Sequence, residues 1–212
     1  MQIAVVDYGM GNLRSVVKAI EHVAPDGAHV VLTDAPEVIL ESEKVVFPGQ
    51  GAAAQCMAKL EERHLPEALR EAARTRPFLG ICMGMQVLLE RSEENEGVDL
   101  LGWFPGQVRR FRPEAGAESL KVPQMGWNQL HQTQDHPLLD GIRQDARFYF
   151  VHSYYCDLDN PAQQVATAEY GLTYAAALAD GYVFAIQAHP EKSADDGLQL
   201  LANFTRWSGP WS

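Results

Sequence analysis

The chain has 212 residues, 46% hydrophobic and 21% charged, which suffices for one domain with a full core. A net charge of −11 opposes binding to nucleic acid or to an anionic membrane surface, and no run approaches the roughly 18 apolar residues of a membrane span. The start, Met1-Gln2-Ile3-Ala4-Val5-Val6-Asp7, reads as a strand rather than a signal peptide, and three widely spaced cysteines (Cys56, Cys82, Cys156) fit a reducing cytoplasm.

In chain order, Ile3–Val6 is a short apolar strand, and Asn12–Val23 carries helical spacing through Leu13, Val16, Val17 and Ile20. His29–Leu32 and Lys44–Phe47 are further strands, the latter running into Pro48-Gly49-Gln50-Gly51. A helical stretch from about Ala52 to Arg74 follows, with Pro66 as a point of interruption. Pro77–Gly80 is a fourth strand and Met83–Arg91 its helix. The second half is rich in short strands: Val108–Phe111, Phe148–Val151, Gln164–Glu169, Leu172–Leu178 and Tyr182–Gln187, with tight turns around Tyr170-Gly171 and Asp180-Gly181. Arg112–Ser119 reads as a polar surface loop, and Ala194–Trp207 as a final helix. The alternation predicts an α/β fold with an open, mostly parallel, flavodoxin-like sheet flanked by helices and extended by antiparallel strands. In such sheets the site lies beyond the carboxyl ends of the strands, where Asp7, Pro48–Gly51, Cys82 and His189 all fall.

Gly80-Ile81-Cys82-Met83-Gly84 has the layout of a nucleophile elbow, with a cysteine held on a strained strand-to-helix turn between two glycines. A following helix would favour its thiolate. His189-Pro190-Glu191 offers a base and an acid to orient it, since residues i and i+2 of an extended segment point the same way. Taken alone, that tripeptide equally suits a strand-end histidine capped by an acid. The N–H of Met83 and the Gln50 peptide are candidate oxyanion donors, although the Pro48–Gly51 string also serves as an ordinary strand-to-helix turn. Gly9-Met10-Gly11 opens like a dinucleotide fingerprint, but Arg14 stands where the third glycine belongs, so a tight turn suffices. Cys82, His189 and Glu191 lack the close spacings of a zinc site, and neither metal nor cofactor is expected. Cys56 and Cys156 read as core thiols, and Trp127 as packing or interface.

Together these residues resemble class I, triad-type glutamine amidotransferases, matching in the elbow with Gln86, the turn Pro48–Gly51 and His189-Pro190-Glu191. Asp7–Ser15, Met125–Asn128, Phe150–Tyr154 and Pro190–Ser193 narrow the likeness to the glutaminase subunits of imidazole glycerol phosphate synthases, across essentially the whole chain. The resemblance implies hydrolysis of L-glutamine by Cys82, His189 and Glu191. It implies substrate binding by Gly51, Gln86, Glu94 and the backbone at Ser153 and Tyr154, and delivery of ammonia to a (β/α)₈-barrel cyclase subunit. Asn12, Trp127, Tyr149 and Lys192 match positions near that interface. Glu94, within an acidic run, has a solvated helix end as its alternative. Two departures stand out: Gln50 where valine is common, and Ala188 where phenylalanine is common. Rival readings are a glutaminase for another synthase such as pyridoxal phosphate synthesis, a cysteine peptidase, and a non-catalytic binding module of the same fold.

Overall fold

A computed structural model describes residues 1–112 and 120–211, so of the expected loop Arg112–Ser119 only Arg112 lies among the described residues. The first 82 residues alternate β1 (Gln2–Val6), α1 (Leu13–Val23), β2 (His29–Thr33), α2 (Pro36–Glu41), β3 (Lys44–Gly49), α3 (Ala53–Glu62), α4 (Leu65–Thr75) and β4 (Phe78–Cys82). A single helical turn, α5 (Met83–Gln86), precedes β5 (Arg91–Ser92), β6 (Val98–Asp99), β7 (Gly106–Arg110), β8 (Gln124–Gln132), β9 (Ala146–His152) and β10 (Tyr154–Leu158). β11 (Gln164–Glu169), β12 (Thr173–Asp180), β13 (Val183–Ile186) and α6 (Ala194–Arg206) follow.

The sheet order runs β2-β1-β3-β4-β13-β12-β10-β7-β5-β6. The first five strands are parallel, a flavodoxin-like order in which the fifth strand comes from far along the chain. From β12 the pairing turns largely antiparallel, and β11, β8 and β9 branch off as a second leaf. Along β1 the side chains alternate between two cores. Ile3 and Val5 join Val16, Ile20, Leu200 and Phe204 beneath α1 and α6. Ala4 and Val6 join Ile39, Leu60 and Leu69 beneath α2, α3 and α4. Burial on both faces is why β1, β3, β4 and β13 read as unbroken apolar runs.

Two helical expectations need correction. The stretch 52–74 divides at His64, which adopts a left-handed φ of 55°, and Pro66 sits in the first turn of α4, where its missing N–H leaves no hydrogen bond unmade. The helix expected over Met83–Arg91 stops after one turn. Leu101 donates its N–H to the Val87 carbonyl, Trp103 and Phe104 to that of Leu88, and Gly102 to that of Leu89. Loop 100–104 thereby occupies the acceptors that a continuing helix requires. α2, β5, β6 and β8 also form where the sequence pattern marks no element.

Candidate active site

β3, β4 and β13 are neighbours, and their register sets Gly49 opposite Cys82 and Ile81 opposite Ile186. The turn after β3, the cysteine ending β4 and the segment after β13 therefore emerge together at one edge of the sheet. Cys82 stands at φ 55° and ψ −108°, a conformation that a non-glycine residue holds only where its surroundings impose it. The flanking glycines are demanded by close backbone approach. A Cβ on Gly84 would land on the Phe47 carbonyl oxygen, and one on Gly80 would lie 2.7 Å from the Gly84 carbonyl oxygen. The first N–H groups of α5, Met83 included, have no intrahelical acceptor and are free to meet developing negative charge.

His189 follows β13 in extended conformation, its N–H donating to the Tyr149 carbonyl at 2.9 Å. The Ser193 hydroxyl locks the segment: it donates to the His189 carbonyl at 2.6 Å and accepts from the Tyr149 N–H at 2.9 Å. Glu191 reaches the ring differently from the extended geometry expected. Pro190–Lys192 form a 3-10 turn, and that turn carries Glu191 Oε1 to 2.8 Å from His189 Nδ1. Both side chains are only 2% exposed. Burial disfavours the imidazolium, but the Cys82 sulfur and then Glu191 outweigh it and push the His189 pKa up to about 10. Although Nε2 makes no hydrogen bond within ordinary limits, the sulfur is close enough to act on the ring. The arrangement can activate a thiol, hold a proton and deliver it to a leaving group.

A cavity of about 440 Å³ opens over the cysteine, lined among others by Gln50, Gly51, Cys82, Met83, Gln86, Glu94, Ser153, Tyr154 and His189. All the residues expected to act on substrate thus share one chamber. Glu94 is no solvated helix end: it lies in a 3-10 turn, and its Oε2 accepts from the Ala53 N–H at the start of α3, 2.5 Å away. The Tyr154 carbonyl is already occupied, accepting from Gln86 Nε2 at 2.9 Å and facing His152 Nδ1 at 2.7 Å. Gly9 and Gly11, at φ 85° and 102°, shape a loop beside the Pro48–Gly51 turn. A Cβ on Gly11 would sit 3.7 Å from Gln50 Cγ, and one on Gly51 would sit 2.6 Å from the Met10 terminal carbon. Gly9-Met10-Gly11 thus lies in a bent loop between β1 and α1 that packs against Gln50 and Gly51. Ala188 is fully buried, so its smaller side chain is covered.

The residues expected at a partner interface divide. Lys192 lines the cavity itself, and Asn12 borders a small crevice behind His189 and Glu191. Trp127 and Tyr149 pair across β8 and β9 with ring centroids 6.1 Å apart, Trp127 being 45% exposed. Met125, 65% exposed two residues along the same face, extends that surface. Gln187, fully buried beside Cys82, escapes motif reading; its one signal is a polar residue closing an apolar strand. His152 also lines the cavity, and burial holds its pKa down at about 4. Among the described residues, no group of three or more His, Cys, Asp or Glu is placed to hold a metal ion.

Residues 4–207 match the family described as glutamine amidotransferase class-I. Imidazole glycerol phosphate synthase subunit HisH 1 of Pseudomonas aeruginosa is 58% identical, with 99% of this chain and 98% of the relative covered. The HisH subunit of Methylococcus capsulatus is 55% identical over the same shares. The Trypanosoma brucei CTPS glutaminase domain solved with bound acivicin matches in fold, with a TM-score of 0.61 at 16% identity over 97% of this chain and 94% of that one. A second solved structure, a glutamine amidotransferase, gives 0.70 at 16% identity over 96% and 99%. Elbow, buried histidine–glutamate pair and full-length similarity agree: the chain belongs to the class-I glutamine amidotransferase family and, within it, to the HisH subunits of imidazole glycerol phosphate synthase.

Proposed function

We propose that the chain hydrolyses L-glutamine to glutamate and ammonia, as the glutaminase subunit of an imidazole glycerol phosphate synthase in histidine biosynthesis. The observation that carries this reading is the buried line from Glu191 through His189 to Cys82 at the floor of the cavity. Cys82 gives its proton to His189 and attacks the side-chain amide carbon of glutamine. The oxyanion meets the Met83 N–H and, once its peptide is turned inward, the N–H of Gln50. His189, held as imidazolium by Glu191, protonates the departing nitrogen, and ammonia leaves a thioester. Water, deprotonated by His189, then attacks that thioester; glutamate departs and the thiol is restored. Gly51, Gln86, Glu94, Ser153 and Tyr154 hold the substrate. With the Tyr154 carbonyl occupied, contact there falls to other backbone groups, and the free Glu94 oxygen suits the α-ammonium group.

Ammonia is protonated in bulk water, so it is passed directly to a (β/α)₈-barrel cyclase that makes imidazole glycerol phosphate and aminoimidazole carboxamide ribotide. The cyclase docks on Asn12, Trp127, Tyr149 and Lys192. The chain works as one domain in the cytoplasm, without nucleic acid, membrane or cofactor. Glutamate release measured with and without the cyclase and its ligand tests the reading: the wild type is strongly stimulated and Cys82→Ala is silent. Glutamate formed by Cys82→Ala overturns it.

A further inference from the structure

Gln187 takes no part in the mechanism above, yet it is fully buried one residue beyond β13, its N–H donating to the Ala176 carbonyl at 2.8 Å. Its side chain spans two partners. Oε1 accepts from Gln86 Nε2 at 3.0 Å, and Nε2 donates to Cys82 Sγ at 3.7 Å. The direction of both amides follows from chemistry. Gln86 faces the Tyr154 carbonyl, which can only accept, so Gln86 presents its NH₂ there. The second hydrogen of that NH₂ points at Gln187, which must answer with its oxygen, and the Gln187 NH₂ is then left facing the sulfur.

We propose that Gln187 is a positioning residue for the nucleophile, an amide whose N–H steers and charges the Cys82 sulfur through a relay anchored by Gln86 on the Tyr154 carbonyl. The proposal deepens the glutaminase reading and rests on Cys82 as the nucleophile. A donor on sulfur favours thiolate over thiol, because a charged acceptor takes the stronger hydrogen bond. The relay also uses both hydrogens of the Gln86 amide nitrogen, which leaves only its oxygen to meet a ligand.

The test is the pH dependence of Cys82 alkylation by iodoacetamide, with Cys82→Ser as control; Cys56 and Cys156 are fully buried and contribute no background in the folded chain. Gln187→Met keeps the length and removes the donor. The midpoint of its alkylation curve moves up by about one pH unit, a tenfold loss of thiolate at any pH well below the midpoint. Its kcat for glutamine falls by a similar factor below the midpoint and recovers above it, while KM holds. Gln86→Met, which cuts the relay from its other end, shifts the midpoint in the same direction by less, and carries the test should Gln187→Met not fold. An unmoved midpoint in both variants, or a kcat deficit independent of pH, overturns the proposal. Alkylation needs no glutamine turnover, so a chain without glutaminase activity would sink the functional reading and leave this one to its own result.

Discussion

The parallel and antiparallel halves of the sheet divide the labour unequally. On the parallel side, β3, β4 and β13 end together and present the Pro48–Gly51 turn, Cys82 and the His189 segment within one register. The antiparallel side supplies walls: Pro123 and Val151–Tyr154 close the cavity, and β8 and β9 turn Met125, Trp127 and Tyr149 outward. Cys82 and His189 sit where the backbone is held on both faces, and Met125 and Trp127 sit where one face is open to solvent. The proposed chemistry and the proposed docking of a partner are therefore separable by mutation.

Glu191→Gln gives the largest effect. It keeps the shape of the carboxylate but no longer supports the imidazolium, so kcat falls by about 10³-fold with or without the cyclase while KM changes little. A loss confined to KM would break the division. An intermediate effect lies at the seam, where His136, following β8, packs its ring on Phe184 of β13 and on Trp207. Burial holds its pKa down at about 4, and its Nδ1 accepts from the Leu138 N–H. The folded state favours the neutral ring. Its stabilisation is thus complete above the ordinary value of 6.5 and is lost as pH falls from there towards 4. His136→Asn keeps the cap without titrating, so urea unfolding across that window flattens by on the order of 3 kcal/mol relative to wild type. Equal slopes for the two proteins would show that the seam does not titrate. Trp127→Ala is the mildest: cyclase affinity by titration calorimetry weakens by about 2 kcal/mol, and the thermal midpoint of the isolated chain stays put. Unchanged affinity would move the recognition surface elsewhere.

The two halves also differ in how far their sequence speaks. β1, β3, β4 and β13 are doubly buried apolar runs; β3 ends in glycine, β4 in cysteine, and His189 follows three residues after β13, so both the strands and the site at their ends are legible. β8 hides because its face is half open: Met125, Trp127 and Gln129 alternate with smaller or polar residues, and the local pattern resembles a loop. The stop after α5 is invisible locally because hydrogen bonds from residues 101–104, well downstream, decide it. Gln187 is missed for a similar reason, since its meaning depends on Gln86 and Tyr154, which only the folded sheet brings near.

The place of β13 between β4 and β12 also fixes an order in time. Cys82 and Gln187 are 105 positions apart, so during synthesis Cys82 precedes Gln187 and His189 by about 5–20 seconds at ordinary elongation rates. Through that interval β4 is an apolar edge with an empty slot beside it, and the newborn thiol has neither proton acceptor nor oriented donor. Placing one four-residue strand between β4 and β12 is what brings Gln187 and His189 to Cys82.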